Sequence, residues 1–124
     1  MGEWSIEHNA KPLLVNAERS SHWSARAAAT AEWRTAFGWL AREAKIPALA
    51  SIEVVVEHFT KTQQMPDVCA CLPAAKAGID ALVDVGVIPD DGPWWVRSVT
   101  FLAPVFTGRD GVRLTVRGEP DPTR

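Results

Sequence analysis

The stretch SIEVVVEHFT, residues 51–60, constrains the fold of this chain more than any other. Ile52, Val54 and Val56 alternate with Ser51, Glu53 and Glu57. A period of two with one apolar side is the pattern of a strand resting on a core. After the loop KTQQMPD the period changes to that of a helix, expected over about residues 72–85. Leu72, Ala75, Ile79 and Leu82 form its apolar stripe, Pro73 sits in its first turn and Gly86 suits its C-terminal cap.

A first helix is expected over about residues 22–45, where Trp33, Phe37, Leu40 and Ala44 recur at helical spacing. Ser20 or Ser21 can cap its start, and Ile46-Pro47 ends it. EWSIEH reads as an edge strand with Trp4 and Ile6 turned inward, and residues 9–22 as an ordered loop. WWVRSVTFLAPV and VRLTVRG are two more strands, and the glycines of FTGRDG suit a hairpin between them. The order strand, helix, strand, helix, strand, strand packs most simply as an α+β domain over residues 1–118. The expectation is a small mixed sheet of about four strands carrying two helices. Residues 119–124, EPDPTR, are expected to be a flexible tail.

At 124 residues the chain can bury one hydrophobic core. It has no apolar run long enough to span a bilayer and no basic start leading into an apolar stretch. No membrane partner is therefore expected, and the expected location is the cytoplasm. The net charge of −2 gives no global basic signature for nucleic acid. A site for divalent metal needs acidic residues, however, and these offset basic phosphate contacts in the sum. Arginine outnumbers lysine nine to four, which suits forked contacts to phosphate oxygens.

The only cysteines, Cys69 and Cys71, are one residue apart and cannot staple distant parts of a fold. Structural zinc wants four ligands, usually in two separated pairs, and His8, His22 and His58 supply no second pair at ligand spacing. His58 could still complete a Cys-Cys-His-Asp site. Small fillers at a helix entry are the simpler account of the pair.

Asp67 precedes the second helix and Asp90-Asp91 follows it. A helix of about 14 residues is roughly 21 Å long, so these carboxylates meet only if the flanking loops fold back. Taken alone, Asp-Asp-Gly is a solvated turn. Lys76 and Asp80, at i and i+4, make either a surface ion pair or a lysine aimed at a scissile phosphate. The six tryptophans could stack on unpaired bases, but Trp33 and at least one of Trp94 and Trp95 are expected in a core or an interface.

PAAKAGIDALVDVGVIPDD, following a strand and an aspartate loop, resembles the RusA-like family of Holliday junction resolvases. PLLVNAERSSHWSARAAATAEWR is similar to the Asn-containing loop and His-Trp-Arg helix start of phage and prophage members in actinobacteria. Together these cover roughly residues 12–117, and the helix-to-Asp-Asp block is the specific part. The resemblance implies a small homodimer that cuts four-way junctions and related branched DNA with Mg²⁺, or Mn²⁺ in its place. It places the protein in the host cytoplasm if a phage encodes it.

The family's usual Asp-x-Asp-Asn motif falls here on Asp67, Cys69 and Ala70, with Lys76 as the lysine that follows. Asp90 and Asp91 match the acidic pair after the helix, and Asp91 is the favoured metal ligand of the two. The implied catalytic residues are Asp67, Lys76 and Asp91, the implied metal ligands Asp67, Asp90 and Asp91. Arg19, His22, Arg26 and Lys61 are the candidate DNA-backbone contacts. Since Cys69 replaces an expected aspartate, two other functions stay open: a DNA-binding relative that no longer cuts, and a metal or redox sensor built on Cys-x-Cys.

Overall fold

A computed structural model describes residues 1–15 and 22–124. The described chain is α+β. Its elements are β1 (Gly2–His8), α1 (Trp23–Glu43), β2 (Ile52–Thr60), α2 (Leu72–Asp84), β3 (Val96–Phe101), β4 (Val105–Phe106) and β5 (Gly111–Gly118). The strands form one mixed sheet in the order β1-β5-β2-β3, with β4 also pairing with β2. The two-residue β4 is the strand beyond the expected four.

The alternation in β2 is realised as expected: Ile52, Val54 and Val56 are buried, and His58 and Thr60 continue the same face. Ile6 on β1 and Val112, Leu114 and Val116 on β5 join them in one core with Trp33, Phe37 and Ala41 of α1. The opposite face of the sheet is held by charge. Arg113 on β5 donates to Glu7 on β1 at 2.9 Å and to Glu57 on β2 at 3.3 Å, stitching three strands together.

Helix α2 carries the chain from β2 to the parallel β3, a connection that a short hairpin cannot make. Its entry differs from the expected stripe. Leu72 is exposed, and Cys71 takes the buried place beside it. The cause is helical phase: 71, 75, 78 and 82 share the core face, whereas 72 lies above Lys76 and Asp80 on the solvent face. At the other end Gly86 adopts φ +84°. Its N–H donates to Val83 O at 3.1 Å and that of Val87 to Leu82 O at 2.9 Å, a Schellman cap.

Three further expectations change. The FTGRDG segment does not form a hairpin between β3 and β5, because β2 lies between those strands. Alternation marks a strand but not its neighbour, and the segment crosses the end of β2 instead, with Thr107 and Gly108 donating to Thr60 O at 3.1 Å each. The C-terminal residues are pinned rather than flexible. Ala50 N–H donates to Glu119 O and Asp121 N–H to Ala48 O, both at 2.9 Å, and the Arg124 guanidinium donates to Val87 O at 3.0 Å. The N-cap of α1 is His22, whose Nδ1 accepts from Ser24 N–H at 3.3 Å. Ser20 and Ser21 lie outside the described residues.

Of the tryptophans, Trp33 is 2 % exposed and Trp95 packs against the core, while Trp23, Trp39 and Trp94 are exposed. No helix among the described residues is long and apolar enough to cross a membrane.

Gly78 sets how closely α2 lies on the sheet: a Cβ there would collide with Leu114 Cδ1 and press on Phe37. Gly78→Val is expected to destabilise the protein by about 2 kcal/mol, despite the better helix propensity of valine, because the core has no room for it. The shift in denaturation midpoint by urea, at unchanged slope, measures this.

Candidate functional site

The chemistry proposed from the sequence depends on what the chain does after α2. Val87 and Ile88 are buried at 1 % and 0 % exposure, which draws the chain into the core directly after the Gly86 turn. Leu49 N–H donates to Val87 O at 2.8 Å and fixes this path. The chain then emerges at Pro89 and turns at Gly92, whose carbonyl accepts from Trp95 and Val96 N–H at 3.0 Å each. Asp91 is thereby returned to Lys76, eight residues and roughly 12 Å of axis before the end of the helix.

Lys76 Nζ donates to Asp80 Oδ1 at 2.8 Å and also to Asp91 Oδ2. The hydrogen bond from Lys76, and then its charge, hold the Asp91 carboxyl below the usual carboxylate value. Asp80 first, and Asp91 second, raise Lys76 above the ordinary lysine value. Lys76 is therefore a full cation at neutral pH, oriented by two carboxylates.

Asp67 reaches a different surface. It lines an open pocket of about 760 Å³ together with Cys69 and His58, and neither Lys76, Asp90 nor Asp91 belongs to that lining. The structure therefore joins Lys76 to Asp91 and leaves Asp67 outside their hydrogen-bonded cluster. No group of three or more His, Cys, Asp or Glu side chains that could hold a metal ion forms among the described residues.

The cysteines part company: Cys69 is exposed and Cys71 is buried. Burial pushes the Cys71 thiol up to about 11, so it stays protonated and unreactive at neutral pH. That suits the filler account for Cys71 alone, since the exposed Cys69 fills nothing.

Among the backbone-contact candidates, Arg19 lies outside the described residues. His22 and Lys61 are exposed and Arg26 is half-buried. His22 is engaged as the α1 cap, so mutating it would disturb the helix as well as any contact. Asp110 escaped the sequence reading. Its Oδ1 accepts the Lys61 N–H at 3.0 Å across the end of β2, and it shares the pocket with Asp67. A pairing 49 residues apart leaves no local signal in the sequence.

The metal implied by the resemblance can be tested against the donor set. Asp67, Asp90 and Asp91 offer carboxylate oxygens, which suit a hard divalent cation, whereas the Cys69 thiol does not. Mg²⁺ commonly uses one or two carboxylates and keeps several waters, so a three-residue cage is not required. The Lys76 ammonium already stands as a cation on Asp91. The residues present fit a site anchored on Asp91.

No protein-family model matches the chain, and no curated protein matches it.

Lys76 and Asp91 are 52 % and 41 % exposed, so solvent screens their pairing. The contact is present above the ordinary carboxylate range and is lost as the pH falls through the depressed Asp91 value. In Lys76→Met, the Asp91 titration midpoint is expected to move upward, back to the ordinary carboxylate value. Carboxyl ¹³C NMR across an acid titration measures it.

Proposed function

We propose that this protein is a divalent-metal-dependent endonuclease that hydrolyses phosphodiester bonds in branched DNA, four-way junctions among them, as a RusA-like homodimer. The observation that supports the reading best is the return of Asp91 to Lys76 by a turn that folds back along α2. A solvated Asp-Asp-Gly turn has no need of that contact. A nuclease needs a cation aimed at the phosphate beside a carboxylate that can take a metal.

Asp91, with Asp90 next to it in the chain, would hold Mg²⁺ or Mn²⁺, Asp67 lying apart in the pocket wall. Bound there, the ion supplies Lewis acidity toward the phosphate and lowers the pKa of its water. Lys76 stabilises negative charge on the phosphate oxygens, and Asp80 keeps it protonated and directed. Arg19, His22, Arg26 and Lys61 contact the DNA backbone without reading sequence, so their contribution falls as salt rises. A homodimer offers two copies of the site to the two symmetric strands of a junction.

One observation favours a second reading. Cys69 stands where the resemblance expects an aspartate, and Asp67 faces a pocket that excludes Asp91. A relative that binds junctions without cutting them would have this arrangement.

A labelled four-way junction with Mg²⁺ or Mn²⁺ separates the two. Paired symmetric nicks that fall by at least a hundredfold in Asp91→Asn, with junction binding retained, are the expected result. Cys69→Asp is expected to keep or raise the rate. Binding without nicks under either metal would establish the second reading, and nicking unchanged in Asp91→Asn would remove that residue from the site.

A further inference from the structure

The strand order β1-β5-β2-β3 gives the sheet two unlike edges. β1 carries Glu3 and Glu7, each paired with an arginine of β5, and charge is a usual guard against the addition of a further strand. The other edge is made by β3 and, farther along the same side of β2, by β4. Arg97 is the only charged residue in these two strands, and it turns back to donate to Pro93 O at 3.2 Å. The register shift against β2 falls at Ile52/Glu53, beside the start of β3, and leaves 98–101 regular.

Two observations mark this unguarded edge as a surface for pairing. The first is apolar. Val99, Leu102, Val105 and Phe106 are between 37 % and 53 % exposed, and Trp94, in the turn before β3, is 76 % exposed. Together they offer on the order of 500 Å² of apolar surface, enough to mark an interaction site. The second lies in the backbone. Leu102 N–H donates to Val56 O at 3.0 Å, so alternation directs the N–H and C=O of Val99 and Phe101 away from β2. Among the described residues no strand lies on that side to receive them.

We propose that a second copy of this chain lays its own β3 antiparallel against this one across a two-fold axis, joining the two sheets into one. The area fits such a partner. A standard interface buries about 800 Å² on each side, a little over half of it apolar, and this edge meets that demand. Charge fits as well. An axis at Val99–Thr100 sets the two Arg97 side chains at opposite ends of the pair, so the strand's one charge does not meet itself. The axis stands perpendicular to the joined sheet, and both helical layers therefore fall on the same side of it. Two Lys76–Asp91 pairs would then be carried on one face. The proposal deepens the nuclease reading, resting on it for the use of two sites but not for the surface itself.

Sedimentation velocity over a concentration series, with amide hydrogen exchange on the full-length protein, tests this. A dimer is expected, with the Val99 and Phe101 amides protected in it and losing about tenfold or more of that protection on dilution to monomer. Val99→Lys is expected to weaken association by about a hundredfold, because pairing would bury an unpaired charge. Its unfolding midpoint should no longer depend on protein concentration. Ser5→Lys, at an exposed position of the β1 edge, should associate as the unmodified protein does. Exchange is read on the unmodified protein, so the test stands whether or not a variant folds. A monomer at every concentration, a dimer whose Val99 and Phe101 amides exchange as fast as in the monomer, or association that survives Val99→Lys would overturn the proposal. Junction nicking by a protein that pairs elsewhere overturns this inference alone; a dimer through β3 that never nicks leaves it standing and removes the nuclease reading.

Discussion

The close seating of α2 on the sheet is the constraint on which the rest of the molecule depends. Gly78 lies against Leu114 and Phe37 with no room for a Cβ, and the neighbouring buried positions Ala74, Ala75, Ala77 and Ala81 are equally small. A helix lined by larger side chains would stand farther off, at the upper end of normal packing distances. Close seating lets the chain leave α2 through Gly86 and bury Val87 and Ile88 in the same core. From there the turn can only emerge along the solvent face of the helix, where Lys76 waits. The Lys76–Asp91 contact is thus a product of packing, added to the local i, i+4 pair of Lys76 and Asp80.

The same geometry explains why the carboxylates divide between two places. Asp91 comes after the core-buried Val87-Ile88 pair and is returned along the helix. Asp67 comes before the helix, in a loop that follows β2 and is tied to the 11–15 segment by the Val15 N–H to Ala70 O bond at 2.9 Å. Each end of α2 is fixed by a different neighbour. An aspartate at position 69 would lie in the pocket wall beside Asp67, because Cys69 already lines it. The cysteine therefore changes the pocket's charge more directly than it changes the Lys76 cluster.

What could be read from the residues follows this division between local and distant causes. The face of β2, the span of α2, its Gly86 cap and the α+β class all come from periodicity or from one residue's backbone preference, and these are local. The phase error at Leu72 came from counting an apolar side chain as buried where Cys71 turns inward instead. The supposed hairpin at FTGRDG and the free tail failed for another reason. Partner choice in a sheet and the docking of Arg124 on the carbonyls of 86–87 are set by the assembled fold. Asp110 was invisible for the same cause, whereas the Lys76–Asp80 pair was legible from its i, i+4 spacing and only packing added Asp91 to it.

Charge ties the cluster to the proposed chemistry. Asp80 and Asp91 share the single ammonium of Lys76, an excess of about one negative charge in that pairing. A phosphate approaching this site bare would be repelled, and Lys76 could not turn to it without abandoning both carboxylates. A divalent cation would cancel that excess and free the ammonium for the phosphate, so on the nuclease reading metal and substrate bind cooperatively.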